Sequence, residues 1–178
     1  MRVATAALFL FSCGAGAIPG SDGVAAASPE IAHFYGLATN GVGHPTDKVT
    51  DHRYELMYGI FLAPMRHLGR PVKMLEIGLG CKKGSLHAGI GPSVALWQKL
   101  LPGVELWEAE YDKHCLQAAR KHGLLDSIHP VQGSQGNRTT LRDWVKQSGG
   151  NFDAIIDDGS HRQAHIMVCL EDGRWMGW

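Results

Sequence analysis

The chain of 178 residues has no excess charge of either sign, because 17 Lys and Arg balance 17 Asp and Glu. Without a basic excess it has no field to draw in nucleic acid or an anionic membrane surface. Its apolar N-terminal run, Val3 to Phe11, is too short to span a bilayer. Ten histidines are scattered, and they form neither an HExxH motif nor a Cys/His metal spacing. Cysteine is scarce, at four residues. If Cys13 leaves with the N-terminal segment, Cys81, Cys115 and Cys169 remain, an odd set with no CxxC spacing. That count argues against a disulfide framework and for plain thiols. There are no internal repeats.

What is present is ordinary globular material: 44% hydrophobic and 19% charged residues, enough for one domain with a core. The first residues read as a targeting segment. Arg2 gives a positive start, Val3 to Phe11 an apolar centre, and Ala15-Gly16-Ala17 a small-residue cleavage site. The expectation is a signal peptide over 1–17, hence a secretory route, with a cytoplasmic or organellar chain as the alternative. A Gly/Ala/Ser-rich linker is expected over 18–43 and one domain over 44–178.

Within that domain, Tyr54, Met57, Tyr58, Phe61, Leu62 and Met65 recur at helical spacing, predicting an amphipathic helix over 51–67. Thr50 or Asp51 can cap it, and Pro64 implies a kink or restart. Strands are expected at Val72 to Ile77, Val104 to Ala109, Ile128 to Gln132 and Phe152 to Ile156. Helices begin at Pro92, after Asp112, at Thr140 and at Ser160. Alternation of this kind means an α/β fold with a doubly wound, Rossmann-like parallel sheet. In such a sheet the third strand is an edge, which suits Pro130.

Two motifs end apolar strands at glycine and acid. Glu76-Ile-Gly78-Leu-Gly80 closes the first strand, where glycines let a ligand approach the backbone. Asp157-Asp158-Gly-Ser-His161 closes the fourth. Adjacent carboxylates repel, and a hard divalent cation relieves that repulsion. His161, three residues on, can take a proton from a hydroxyl. Glu110, past the second strand, can accept ribose hydroxyls; Glu108 and Asp112 compete for that place, although Asp112 also reads as a helix cap.

These residues resemble the class I S-adenosylmethionine-dependent methyltransferases, and within them the metal-dependent branch that includes macrolide-sugar O-methyltransferases and fungal-type relatives. The lead-in Thr46-Asp-Lys48, His52, Tyr54, Tyr58, Pro64 and Arg66 is similar to that branch as well, so the resemblance covers about residues 44 to 168. It implies S-adenosylmethionine near Gly78, Gly80 and Glu110, with Gln135 also on the cofactor side. It implies Mg²⁺ at Asp157 and Asp158, His161 as base, and Glu76 serving metal, cofactor or both. The acceptor would be a sugar or other small-molecule hydroxyl.

The sequence departs from the pattern at Gly133-Ser-Gln135, where relatives carry Gly-Asp-Gln. It also lacks the expected P-G-G turn, fifth strand and C-terminal hairpin. The sheet order expected is therefore 3-2-1-4, with strand four an exposed apolar edge that invites pairing into a homo-oligomer. A truncated, non-catalytic binding or regulatory domain is the competing reading. A nicotinamide-dependent oxidoreductase is disfavoured, because Asp157-Asp158 has no role in hydride transfer.

Overall fold

The computed structural model describes residues 8–11, 28–41, 47–50, 52–81 and 90–171. The chain divides into two compact units, one of Met1–Ser12, Lys73–Gly91 and Glu105–Trp178, the other of Cys13–Val72 and Pro92–Val104.

The second unit is helical. It holds α1 (Pro29–Gly36), a π-helical turn (Leu37–Gly41), α2 (Asp47–Thr50), α3 (Glu55–Phe61), a 3-10 turn (Ala63–His67) and α4 (Pro92–Leu100). Its core is aromatic. The rings of Phe34 and Tyr58 lie 5.1 Å apart, and Tyr58 meets Trp97 edge-on at 5.3 Å. Lys48 places its ammonium 5.6 Å from the Trp97 ring, a cation–π contact. Arg66 pairs with Glu30. The lead-in residues Lys48, Tyr54, Tyr58 and Arg66 thus hold this unit together. Pro64 restarts the chain as a 3-10 turn, as its missing N–H requires. Tyr54, without a side-chain bond, stands at the N-cap of α3, Thr50 is the last residue of α2, and the other expected cap, Asp51, lies outside the described residues. Part of the expected linker is also helix, since Ile31 and Phe34 bury themselves on one face of α1; residues 18–27 and 42–43 lie outside the described ones.

The first unit is a parallel sheet: β1 (Leu8–Phe11), β2 (Lys73–Ile77), β3 (Glu105–Glu110), β4 (His129–Gln132) and β5 (Ala154–Asp157). The order is β1-β5-β2-β3-β4. The four strands read from the domain pattern stand in the expected order, with Pro130 on the edge strand β4. The expected bare edge at β5 is corrected. Leu8–Phe11, the centre of the N-terminal apolar run, pairs in parallel with Ala154–Asp157 and satisfies its outer backbone groups.

Between the strands run α5 (Lys113–Lys121), a 3-10 turn (Leu124–Ser127) and α6 (Arg138–Ser148), and α7 (Gln163–Glu171) follows β5. One sheet face, Leu75, Ile77, Ala109, Val131 and Ile155, packs with Phe152, Leu141, Trp144 and Cys169. Alternation along each strand sends these residues to the same side. Asp112 caps α5 as expected, accepting from the His114 N–H at 2.8 Å. For α6 the cap is Asn137, not Thr140; its carbonyl oxygen accepts from Thr139 and Thr140. α7 starts at Gln163 rather than Ser160, because His161 is left-handed (φ 52°) and cannot sit in a right-handed helix.

The plain-thiol expectation also fails. Cys81 and Cys115 form a disulfide with Cα atoms 5.6 Å apart. They are 34 residues apart in sequence, and only the sheet brings the β2 loop beside the start of α5. Cys169 is a buried thiol outside this disulfide.

Candidate active site

A cavity of about 500 Å³ opens at the carboxyl ends of β2, β3, β4 and β5. That is the end of an open α/β sheet where ligands bind, and the size suits a cofactor-like small molecule. Gly78, Gly80, Glu110, Gln135 and Asp158 all line it. Tyr111, Arg162 and His165 line it too. Sequence reasoning passed over these three. The signal for the last two was their i, i+3 spacing at the start of α7, one and four residues after His161.

Gly78 leaves β2 with φ 104°, and a Cβ there would come within 2.5 Å of the Asp158 carbonyl oxygen. Glycine is needed so that the β2 and β5 loops can lie against each other. The Asp158 N–H donates to the Ile77 carbonyl at 2.9 Å and fixes that approach.

The three acids around β3 separate cleanly. Glu110 is the last strand residue, lines the cavity, and accepts the Asp112 N–H at 2.8 Å through Oε1. Asp112 caps its helix. Glu108 is fully buried inside β3, opposite Glu76 of β2 in the register. Glu76 is likewise fully buried and lies outside the cavity lining.

Asp157 and Asp158 serve different neighbours. The Asp157 carboxylate is buried and accepts from Gln135 Nε2 at 2.8 Å on both oxygens, and from the Gly159 N–H at 3.3 Å. Burial pushes its pKa above the usual carboxylate range, against the opposing pull of the Gln135 bond. Asp158 lines the cavity, and its Oδ1 stands 3.8 Å from His161 Nε2. His161 itself is half exposed and outside the lining. Among the described residues no three His, Cys, Asp or Glu side chains gather as a metal-binding group.

Ser160 Oγ lies 2.9 Å from His165 Nδ1, so His165 is tied to the same loop. Beneath it the Cys169 thiol sits 3.6 Å from the Gln135 carbonyl. Burial, then the neighbouring Asp157 charge, push that thiol up to about 12, so it is inert at neutral pH.

No family model matches the chain. It is similar to two curated proteins of Streptomyces olivaceus. It is 35% identical over 115 residues to 8-demethyl-8-(2-methoxy-alpha-L-rhamnosyl)-tetracenomycin-C 3'-O-methyltransferase, covering 64% of this chain and 26% of that protein. It is 32% identical over 140 residues to 8-demethyl-8-alpha-L-rhamnosyl tetracenomycin-C 2'-O-methyltransferase, covering 76% and 33%. The chain therefore spans a third or less of the length of these relatives. Among solved structures it resembles the MycE methyltransferase of the mycinamycin biosynthetic pathway in complex with Mg, SAH and mycinamycin VI. The TM-score is 0.59 at 23% identity, covering 82% of this chain and 34% of that one.

Proposed function

We propose, on the premise that this chain is a relative of the class I S-adenosylmethionine-dependent sugar O-methyltransferases, that its cavity binds S-adenosylmethionine for Mg²⁺-assisted O-methylation of a sugar or other small-molecule hydroxyl. The observation that carries this is the convergence of Gly78, Gly80, Glu110 and Asp158, from three strands, on one cavity.

The residues fit such a cofactor. The glycine turn after β2 lets the backbone approach the amino-acid end. Glu110 stands at the end of the neighbouring strand, where a carboxylate accepts ribose hydroxyls. S-adenosylmethionine supplies an electrophilic methyl group when bound, and Mg²⁺ lowers the pKa of a hydroxyl beside it. Asp158 is the carboxylate that would hold the cation, and His161, 3.8 Å away, would take the hydroxyl proton. Arg162, His165 and Tyr111 complete the wall and would shape what enters.

A second reading, a cofactor-binding domain without turnover, has one observation in its favour: Asp157 is engaged by Gln135, which leaves Asp158 and His161 as the donor pair at this loop. Titration of S-adenosylhomocysteine into the full chain, with and without Mg²⁺, tests the common part. Binding near micromolar Kd, weakened at least about tenfold by Glu110→Ala, is expected for a charge-assisted contact. No binding by the folded chain would overturn both readings. Binding without methyl transfer to any glycosylated hydroxyl would leave the second.

The Cys81–Cys115 disulfide supports a secretory route, since oxidising compartments preserve such bonds. Cleavage after Ala17 would remove β1 with the leader. Intact mass of the chain from its native compartment decides between keeping the strand and losing it.

A further inference from the structure

We propose that Gln135 and Asp157 form a positioning pair that aims Asp158 and His161, so that neither Gln135 nor Asp157 is itself a ligand to cofactor or metal. The inference deepens the preceding reading, in which Asp158 and His161 are the reacting face.

Gln135 is buried on the loop after β4, and each end of its amide is engaged. Nε2 donates to both oxygens of Asp157 at 2.8 Å. Oε1 accepts the Ser160 N–H at 2.7 Å. One side chain thus grips the loop at both ends, at Asp157 and Ser160, with Asp158 and Gly159 between and His161 just beyond. The grip is close. A Cβ on Gly159 would fall 2.2 Å from Gln135 Oε1 and 3.1 Å from Ile77 Cγ2. Glycine at 159 is therefore the residue that lets the amide reach across. The Gly159 N–H also bonds back to Asp157 at 3.3 Å, and Ser160 Oγ continues the chain of contacts to His165.

The polarity of the contact is specific. Position 135 must offer a donor toward 157 and an acceptor toward the Ser160 N–H. A carboxylate at 135 would accept from Ser160 but repel the Asp157 carboxylate. An apolar residue would strip the buried Asp157 carboxylate of its amide donor, a costly arrangement, and release the Ser160 N–H. Exchanging the two groups, Gln135→Glu together with Asp157→Asn, restores a donor–acceptor match at both ends: the amide now donates from 157, and the carboxylate at 135 accepts from it and from the Ser160 N–H.

The experiment compares wild type, Gln135→Leu, Gln135→Glu, Asp157→Asn and the exchanged pair by amide hydrogen exchange over 157–163. S-adenosylhomocysteine and Mg²⁺ titrations accompany it. Gln135→Leu and Gln135→Glu should speed exchange at Ser160 and His161 at least about tenfold, a change of about 1.4 kcal/mol and of the size of one hydrogen bond. The exchanged pair should return to within about threefold of wild type on the same scale. S-adenosylhomocysteine affinity should move less than about threefold in Gln135→Leu, where a direct cofactor contact would lose about tenfold. Mg²⁺ affinity in the exchanged pair should match wild type, whereas Asp158→Asn should lose it. Unchanged exchange in Gln135→Leu, or no rescue by the exchanged pair, would overturn the proposal. So would loss of Mg²⁺ in the exchanged pair with the loop intact. If wild type binds neither ligand, the functional reading falls, and the exchange measurements alone decide the positioning pair.

Discussion

The loops after β2 and β5 leave neighbouring parallel strands and share one cavity, yet they are held by different means. The β2 loop is anchored covalently, by Cys81 to Cys115 at the start of α5, and by a short antiparallel bridge from Cys81 to Ile90. The β5 loop is anchored by one buried amide, Gln135, and by backbone bonds to β2. The first constraint acts in the unfolded chain as well as the folded one. The second exists only once β4 and β5 have taken their places, so it is local and reversible. On the proposed reading, the loop that would hold the cofactor carries the permanent anchor, and the loop that would aim Asp158 and His161 depends on directional bonds.

That contrast can be broken from either side. Cys115→Ser should have the largest effect, about 3–4 kcal/mol from chain entropy for a ring of this length, and about 10 °C in melting temperature. Reducing agent should reproduce it in wild type and do nothing further to the variant. Gly78→Ala strikes both loops, since it forces a left-handed alanine and a 2.5 Å approach to Asp158. A loss of about 2–3 kcal/mol is expected, visible in chemical denaturation. Gly159→Ala should cost less, about 1–2 kcal/mol, because the Gln135 side chain can withdraw. Its signature should be faster exchange at Ser160 with the β2 loop undisturbed.

The smallest effect concerns Cys169, beneath the amide. With its thiol at about 12, it should resist alkylation in the native chain at pH 8 and react on unfolding, as peptide mapping would show. The sign of the linkage follows. The raised folded value means the stabilisation is full below the ordinary thiol pKa of 9.0 and is lost as pH climbs toward 12. Relative to Cys169→Ala, wild type should therefore weaken only in alkali. Native alkylation at pH 8 would show that the β5 side opens as readily as an exposed loop.

Much of the fold was legible because it rests on local signals. Alternating apolar runs gave four strands in the right order, Pro92 and Asp112 marked real helix starts, and Pro130 marked an edge. Glu110 and the glycines could be placed at the cavity because strand ends are where α/β folds open. What stayed hidden depended on residues distant in sequence. A count of three cysteines could not reveal that two of them meet, because the pairing is made by sheet geometry. An apolar run near the N-terminus reads the same to a targeting rule and to a strand, and only its parallel register with β5 makes it a strand.

The Asp157-Asp158 pair shows the division most sharply. Sequence by itself fixed that two carboxylates would stand at the end of a buried strand, followed by a glycine and a histidine. It could not say which would face the cavity, because that turns on a glutamine 22 residues away that claims one of them. Composition and periodicity act along the chain and determine which elements form. The partner of a buried polar group is chosen across it, by the cost of leaving that group unsatisfied once the sheet has closed.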